Sequence, residues 1–144
     1  MEAKLFILSC VLAVATADFV LDEKAQKIIG DCATETDVDL DKIFESAKNE
    51  QLPTTESGKC FVECVMEKSG MLEGGKVNVE KVREISEKHF GDTPELKEKA
   101  DKVADICVAE VTNPGGKCEF ATALAACAMK RGKEMGIPHP NFVM

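Results

Sequence analysis

Ser57-Gly58-Lys59-Cys60-Phe61-Val62-Glu63-Cys64-Val65-Met66-Glu67-Lys68-Ser69 is the stretch on which the fold turns. Its apolar positions recur at helical spacing, and Gly70 follows as a stop signal. Cys60 and Cys64 then lie one turn apart on one face. Two thiols placed so can each hold a different neighbouring segment.

Four further cysteines, Cys32, Cys107, Cys118 and Cys127, complete an even set once Cys10 is set aside. Cys10 belongs to the opening MEAKLFILSCVLAVATA, which has the parts of a secretory leader. Lys4 supplies the positive start, Leu5 to Ala15 the apolar run, and Ala15-Thr16-Ala17 the small-residue cleavage site. Residues 1–17 are therefore read as a signal peptide and 18–144 as one secreted, extracellular domain. The apolar run is shorter than the roughly 20 residues that a membrane-spanning helix needs, so no membrane insertion is expected. Cysteines in even number behind a leader imply a disulfide framework.

Outward from the central stretch the pattern stays helical. Leu21, Ala25, Ile28, Ile29 and Cys32 form one stripe; Leu40, Ile43, Phe44 and Ala47 form another, entered from Thr36 or Asp37 as a cap and closed by Pro53. Gly74-Gly75 marks a turn. Val79, Val82, Ile85 and His89 or Phe90 make a fourth stripe. Thr93-Pro94-Glu95 starts a fifth helix, carrying Leu96, Ala100, Val103, Ala104, Cys107 and Val111, which Asn113-Pro114-Gly115-Gly116 breaks. A sixth is expected from Lys117 to Arg131, apolar nearly all round from Phe120 to Met129 and hence central, with Lys130-Arg131-Gly132 at its end. No strand-type alternation stands out. The fold class is all-α, a single domain of about six helices cross-linked by disulfides.

Charge and composition exclude several classes. The net charge of -8 lacks the basic patches that nucleic-acid binding and anionic membranes require. The two histidines, His89 and His139, have no metal-ligand spacing, and oxidised cysteines supply no thiolate, so no metal or other cofactor is expected. Ser46, Ser57, Ser69 and Ser86 lack a nucleophile-elbow context, and the acids recur on polar helix faces, so no catalytic residues are assigned and the protein is read as no enzyme. There is no Trp and no Tyr, so no aromatic hydroxyl can anchor a ligand.

Six cysteines allow fifteen pairings. Cys118 and Cys127 both fall in the expected sixth helix, on opposite sides and about 13 Å apart along its axis, so they cannot pair with each other. Beyond that, spacing does not choose. The full pattern Cys-x27-Cys-x3-Cys-x42-Cys-x10-Cys-x8-Cys resembles the six-cysteine signature of insect odorant-binding proteins, the pheromone-binding/general odorant-binding protein family. The segments Cys60 to Cys64, Gly75-Lys76-Val77-Asn78-Val79 and Cys118-Glu119-Phe120-Ala121 carry the same resemblance. It implies the pairs Cys32–Cys64, Cys60–Cys118 and Cys107–Cys127, and six helices around an internal apolar pocket. It also implies a carrier of small hydrophobic ligands, odorants or pheromones, moving through aqueous sensory fluid and meeting an odorant receptor only indirectly, as a monomer or weak homodimer.

The candidate lining residues are Phe61, Val62, Val65, Met66, Leu72, Val82, Ile85, Phe90, Ala121, Leu124 and Ala125; each fits ordinary core packing equally well. Small side chains in the sixth helix either let helices approach or leave space. The tail from Gly136 to Met144 ends on an apolar group, and relatives cover the pocket with this segment, so Ile137, Phe142 and Val143 join the expected wall. Charging of His139 below pH about 6.5 then offers a release route; deletion of residues 137–144 would remove that pH dependence. The alternatives are a non-olfactory secreted carrier of lipids or other apolar ligands, or a disulfide-bonded interaction or defence protein. A secreted hydrolase lacks its catalytic constellation.

Overall fold

The computed structural model describes residues 18–138 and 141–143. The expected leader and His139 lie outside the described residues. Six helices are described: α1 (Glu23–Thr36), α2 (Leu40–Lys48), α3 (Glu56–Lys68), α4 (Val79–Phe90), α5 (Pro94–Glu110) and α6 (Glu119–Glu134). Four short strands accompany them: β1 (Asp18–Val20), β2 (Leu72–Glu73), β3 (Lys76–Val77) and β4 (Asn141–Val143). The fold is all-α.

Local chemistry sets the helix ends. Asp22 starts α1 by accepting the Ala25 N–H at 2.8 Å. Asp37 ends it in the left-handed region (φ 55°), its N–H bonded to the Ala33 carbonyl. The cap of α2 is Asp39, which accepts from the Asp41 N–H at 3.0 Å. This corrects the expectation of Thr36 or Asp37: α1 runs on through Thr36, whose hydroxyl bonds back to the Cys32 carbonyl at 2.6 Å. Thr55 caps α3 through the Gly58 N–H at 3.1 Å. Gly58 must be glycine, because a Cβ there would stand 2.5 Å from Pro53 Cβ. That contact is how Pro53, five residues past the end of α2, fixes the entry to α3.

The expected turn at Gly74-Gly75 joins β2 and β3 as a tight hairpin, in register Leu72↔Val77 and Glu73↔Lys76. Both glycines have positive φ, 56° and 77°, as a two-residue turn of this kind requires. Strands of two residues are too short to leave a periodic trace. Asn78 then caps α4 through the Lys81 N–H at 3.1 Å.

The helices pack in a spatial chain: α1 on α3, α3 on α6, α6 on α5, and α5 on α4. One disulfide crosses each of the first three junctions. Cys32–Cys64 joins α1 to α3, Cys60–Cys118 joins α3 to the start of α6, and Cys107–Cys127 joins α5 to α6. The centre is therefore shared. α3 carries two of the bridges and touches α1, α6 and β2, whereas α6 leaves Ala126 and Ala128 exposed. Alanine is nearly neutral in water, so its exposure costs little and an all-apolar run need not be buried on every side.

α6 also runs past the expected stop at Gly132 to Glu134, and the left-handed residue that ends it is Gly136 (φ 76°). Gly132 is buried inside the helix because Ile137 folds back over it, its N–H on the Gly132 carbonyl at 2.9 Å. Beyond Ile137, β4 runs parallel to β1 with Asp18↔Asn141, Phe19↔Phe142 and Val20↔Val143 in register. Among the described residues, no helix is long and apolar enough to cross a membrane.

Candidate functional site

α3 divides the interior because successive positions on a helix turn by about 100°. Phe61 and Val65, one turn apart, point with Cys64 to α1. They join a cluster built on Cys32 and Ala33, closed by Ile28, Ile29, Val38, Leu40 and Ile43. Val62 and Met66 lie one position further round. They meet Leu72 from the hairpin and Ala121 and Leu124 from α6, with Val77, Val111 and Phe120 at the edge. Val62 touches both clusters.

Five expected lining residues thus converge in the second cluster: Val62, Met66, Leu72, Ala121 and Leu124. Phe61 and Val65 belong to the first. Val82, Ile85 and Phe90 are half-buried on α4 and belong to neither cluster, as is Ala125, one turn along α6 from Ala121. Ile137 is half-buried against Gly132; Phe142 and Val143 lie on β4, placed by its pairing with β1. Val77, Val111 and Phe120 complete the second cluster without having been singled out as lining residues. In the sequence Val77 follows the Gly74-Gly75 turn, Val111 ends the fifth helical stripe and Phe120 opens the apolar run of the sixth.

The second cluster draws on α3, the hairpin, the end of α5 and α6. No charged or polar residue is fully buried among the described residues. Thr122, next to Ala121, holds a buried hydroxyl oxygen with no hydrogen-bond partner among them. Two open clefts lie elsewhere. One, of about 870 Å³, runs between α2 and the start of α3 past Val38, Ile43, Leu52 and Pro53. The other, of about 560 Å³, lies along α4 beside Arg83 and Glu87. Neither is lined by the expected pocket residues.

Titratable groups near the interior are few. Cys60, Glu63 and Cys118 bring potential ligand atoms within 4.8 Å of one another, but the two sulfurs are bonded to each other and no thiolate is left for a metal. Partial burial, and secondarily the charge of Glu67 one turn on, hold the Glu63 carboxyl above its usual range. The folded state therefore favours the protonated form, so ionisation of Glu63 weakens the fold as pH rises through its folded pKa. Glu63→Gln is expected to raise Tm at pH 7 by about 1–2 °C, as a few tenths of a kcal/mol would in a domain of this size. Thermal melts from pH 7 to pH 4 should show that gain disappearing on acidification; a gain that persists at pH 4 would assign it to something other than charge. His89 is exposed, and its pKa is lowered by desolvation first and by Lys88 second, with Asp22 opposing.

Similarity to known proteins agrees with this architecture. The pheromone-binding protein Gp-9 of Solenopsis globularia littoralis is 30% identical over 107 residues, covering 68% of this chain and 67% of that protein. Its counterpart from Solenopsis saevissima is 28% identical over 106 residues, covering 68% of each. The solved structure of the Drosophila melanogaster odorant-binding protein dmelOBP28a superposes with a TM-score of 0.67 at 28% identity, covering 80% of this chain and 94% of that one. The model of the PBP/GOBP family matches residues 19–131, which hold all six cysteines of the three bridges. Three bridged helix junctions around an uncharged interior, together with that match, place the chain in the PBP/GOBP family.

Proposed function

We propose that the protein is a secreted carrier that takes up small apolar molecules, odorants or pheromones, and moves them through an aqueous fluid by binding and release. The observation that carries this reading is the second cluster. Val62, Met66, Leu72, Ala121 and Leu124 come from three separate segments and meet with no fully buried charge among them. Small-molecule sites are mostly apolar hollows with few polar groups, set between secondary-structure elements, and this cluster has that position and composition. Met66 adapts to differently shaped neighbours. The relatives named pheromone-binding proteins and the neighbour named an odorant-binding protein support the ligand class.

Hydrophobic burial then supplies most of the affinity, at roughly 25 cal/mol per Å² of ligand surface removed from water, before the cost of association. Without Tyr or Trp, specific polar anchoring is sparse. The expected result is broad selectivity, since one methylene changes binding by only about 1–3 kcal/mol. Displacement of a fluorescent apolar probe by a homologous series of alcohols and esters measures it. Affinity should rise smoothly with chain length. A thousandfold preference between near-isosteric ligands, or no displacement by any, would contradict the reading.

A further inference from the structure

Each of the three disulfides has a companion ion pair joining the same two segments. Beside Cys32–Cys64, Glu35 meets Lys68 at 2.6 Å. Glu35 is three residues after Cys32, and Lys68 four after Cys64. Beside Cys107–Cys127, Glu110 meets Arg131 at 2.5 Å, with the same offsets of three and four. Those offsets put each charge one turn from its cysteine on the same helix face. Beside Cys60–Cys118 two pairs straddle the bond: Glu56 with Lys117 at 2.9 Å and Lys59 with Glu119 at 3.0 Å.

We propose that these ion pairs act as a pairing code for oxidative folding, docking the correct helix faces before the sulfurs bond. The order of events allows it. Helices form within microseconds, whereas disulfides form and exchange over seconds to hours. Non-covalent docking therefore equilibrates many times before a thiolate attacks, and a bias in docking becomes a bias in which sulfurs meet. The charges also discriminate. Joining Cys32 to Cys107 with the same offsets would set Glu35 against Glu110. Joining Cys64 to Cys127 would set Lys68 against Arg131. This exchange of partners brings like charges together at both bridges, whereas both native bridges bring opposite charges together. The other exchange, Cys32–Cys127 with Cys64–Cys107, keeps opposite charges facing, so the code acts against the first exchange and not the second.

The test is oxidative refolding of fully reduced, denatured protein in a glutathione buffer at low ionic strength, quenched with acid and mapped as disulfide-linked peptides. Glu35→Lys makes the native contact repulsive and a contact with Glu110 attractive. It should lower the ratio of Cys32–Cys64 to Cys32–Cys107 about two- to fivefold, the scale of a reversed surface ion pair. The exchange variant Glu35→Lys/Lys68→Glu should restore the native bridge. Refolding in 1 M salt, where screening acts over about 3 Å, should abolish the difference between variants. A ratio that Glu35→Lys leaves unchanged, or that the exchange variant fails to restore, would overturn the proposal. Melting of the natively bridged Glu35→Lys protein separates pairing from stability: a large loss of Tm without mispairing would also overturn it.

Discussion

Replacing Cys60 and Cys118 together by alanine is expected to cost about 4 kcal/mol, because this bridge closes the longest of the three loops. Its partners are 58 residues apart, against 32 for Cys32–Cys64 and 20 for Cys107–Cys127. A cross-link stabilises chiefly by restricting the unfolded chain, and the restriction grows with the logarithm of loop length, which puts the shortest loop at about 3 kcal/mol. In Tm the loss for Cys60–Cys118 is about 15 °C for a domain of this size. Helical circular dichroism in urea is the suitable measurement, since the chain has no Trp or Tyr to report by fluorescence. The same bridge offers an internal check. Cys118 holds a left-handed backbone (φ 61°) immediately before α6. That conformation costs a residue with a Cβ about 1–2 kcal/mol and glycine almost nothing. Cys60→Ala/Cys118→Gly should therefore unfold at higher urea than Cys60→Ala/Cys118→Ala. A reversed ranking of the bridges, with Cys107–Cys127 the most costly, would mean that local packing outweighs loop closure.

The part of this fold that was legible in the sequence is the part written in short-range chemistry. The 3.6-residue stripes placed all six helices, and Gly70, Gly74-Gly75 and Thr93-Pro94 marked real boundaries. The misreadings were contests between equivalent local signals. Thr36, Asp37 and Asp39 are all plausible caps, and only the course of α1 through Thr36 selects Asp39. Gly132 and Gly136 are both plausible stops; Gly132 stays helical because Ile137 packs over it, a contact that no periodicity records. The candidate site was half legible for a related reason. A stripe shows that Phe61, Val62, Val65 and Met66 face inward. It does not show that a turn of about 100° sends the first and third to α1 and the second and fourth to α6 and the hairpin. The pairing of β1 with β4 joins the two ends of the described chain through backbone bonds, which leave no side-chain signature.

That division of α3 leads to the second large effect. Phe61→Ala is expected to cost about 3–4 kcal/mol and roughly 12 °C in Tm. Phe61 is 6% exposed and packs beside the Cys32–Cys64 bridge, where Cys32 is 0% exposed. A cross-linked junction cannot draw in freely to refill the space, so the cavity term adds to the lost transfer energy. Because Phe61 belongs to the α1 side and its cluster shares Val62 alone with the second, its loss should change the affinity for an apolar probe far less than loss of Leu124 does, at a temperature where the variant is folded. Leu124→Ala gives the opposite signature. Leu124, 8% exposed, packs with Leu72 and Ala121 in the second cluster. It should lose about 2–4 kcal/mol and also change which ligand lengths bind best, because the space it vacates adjoins the proposed site. Calorimetric melts paired with probe titrations on the two variants decide the matter. Loss of probe binding in folded Phe61→Ala, with unchanged binding in Leu124→Ala, would move the site to the α1 face of α3 and into the cluster around Cys32.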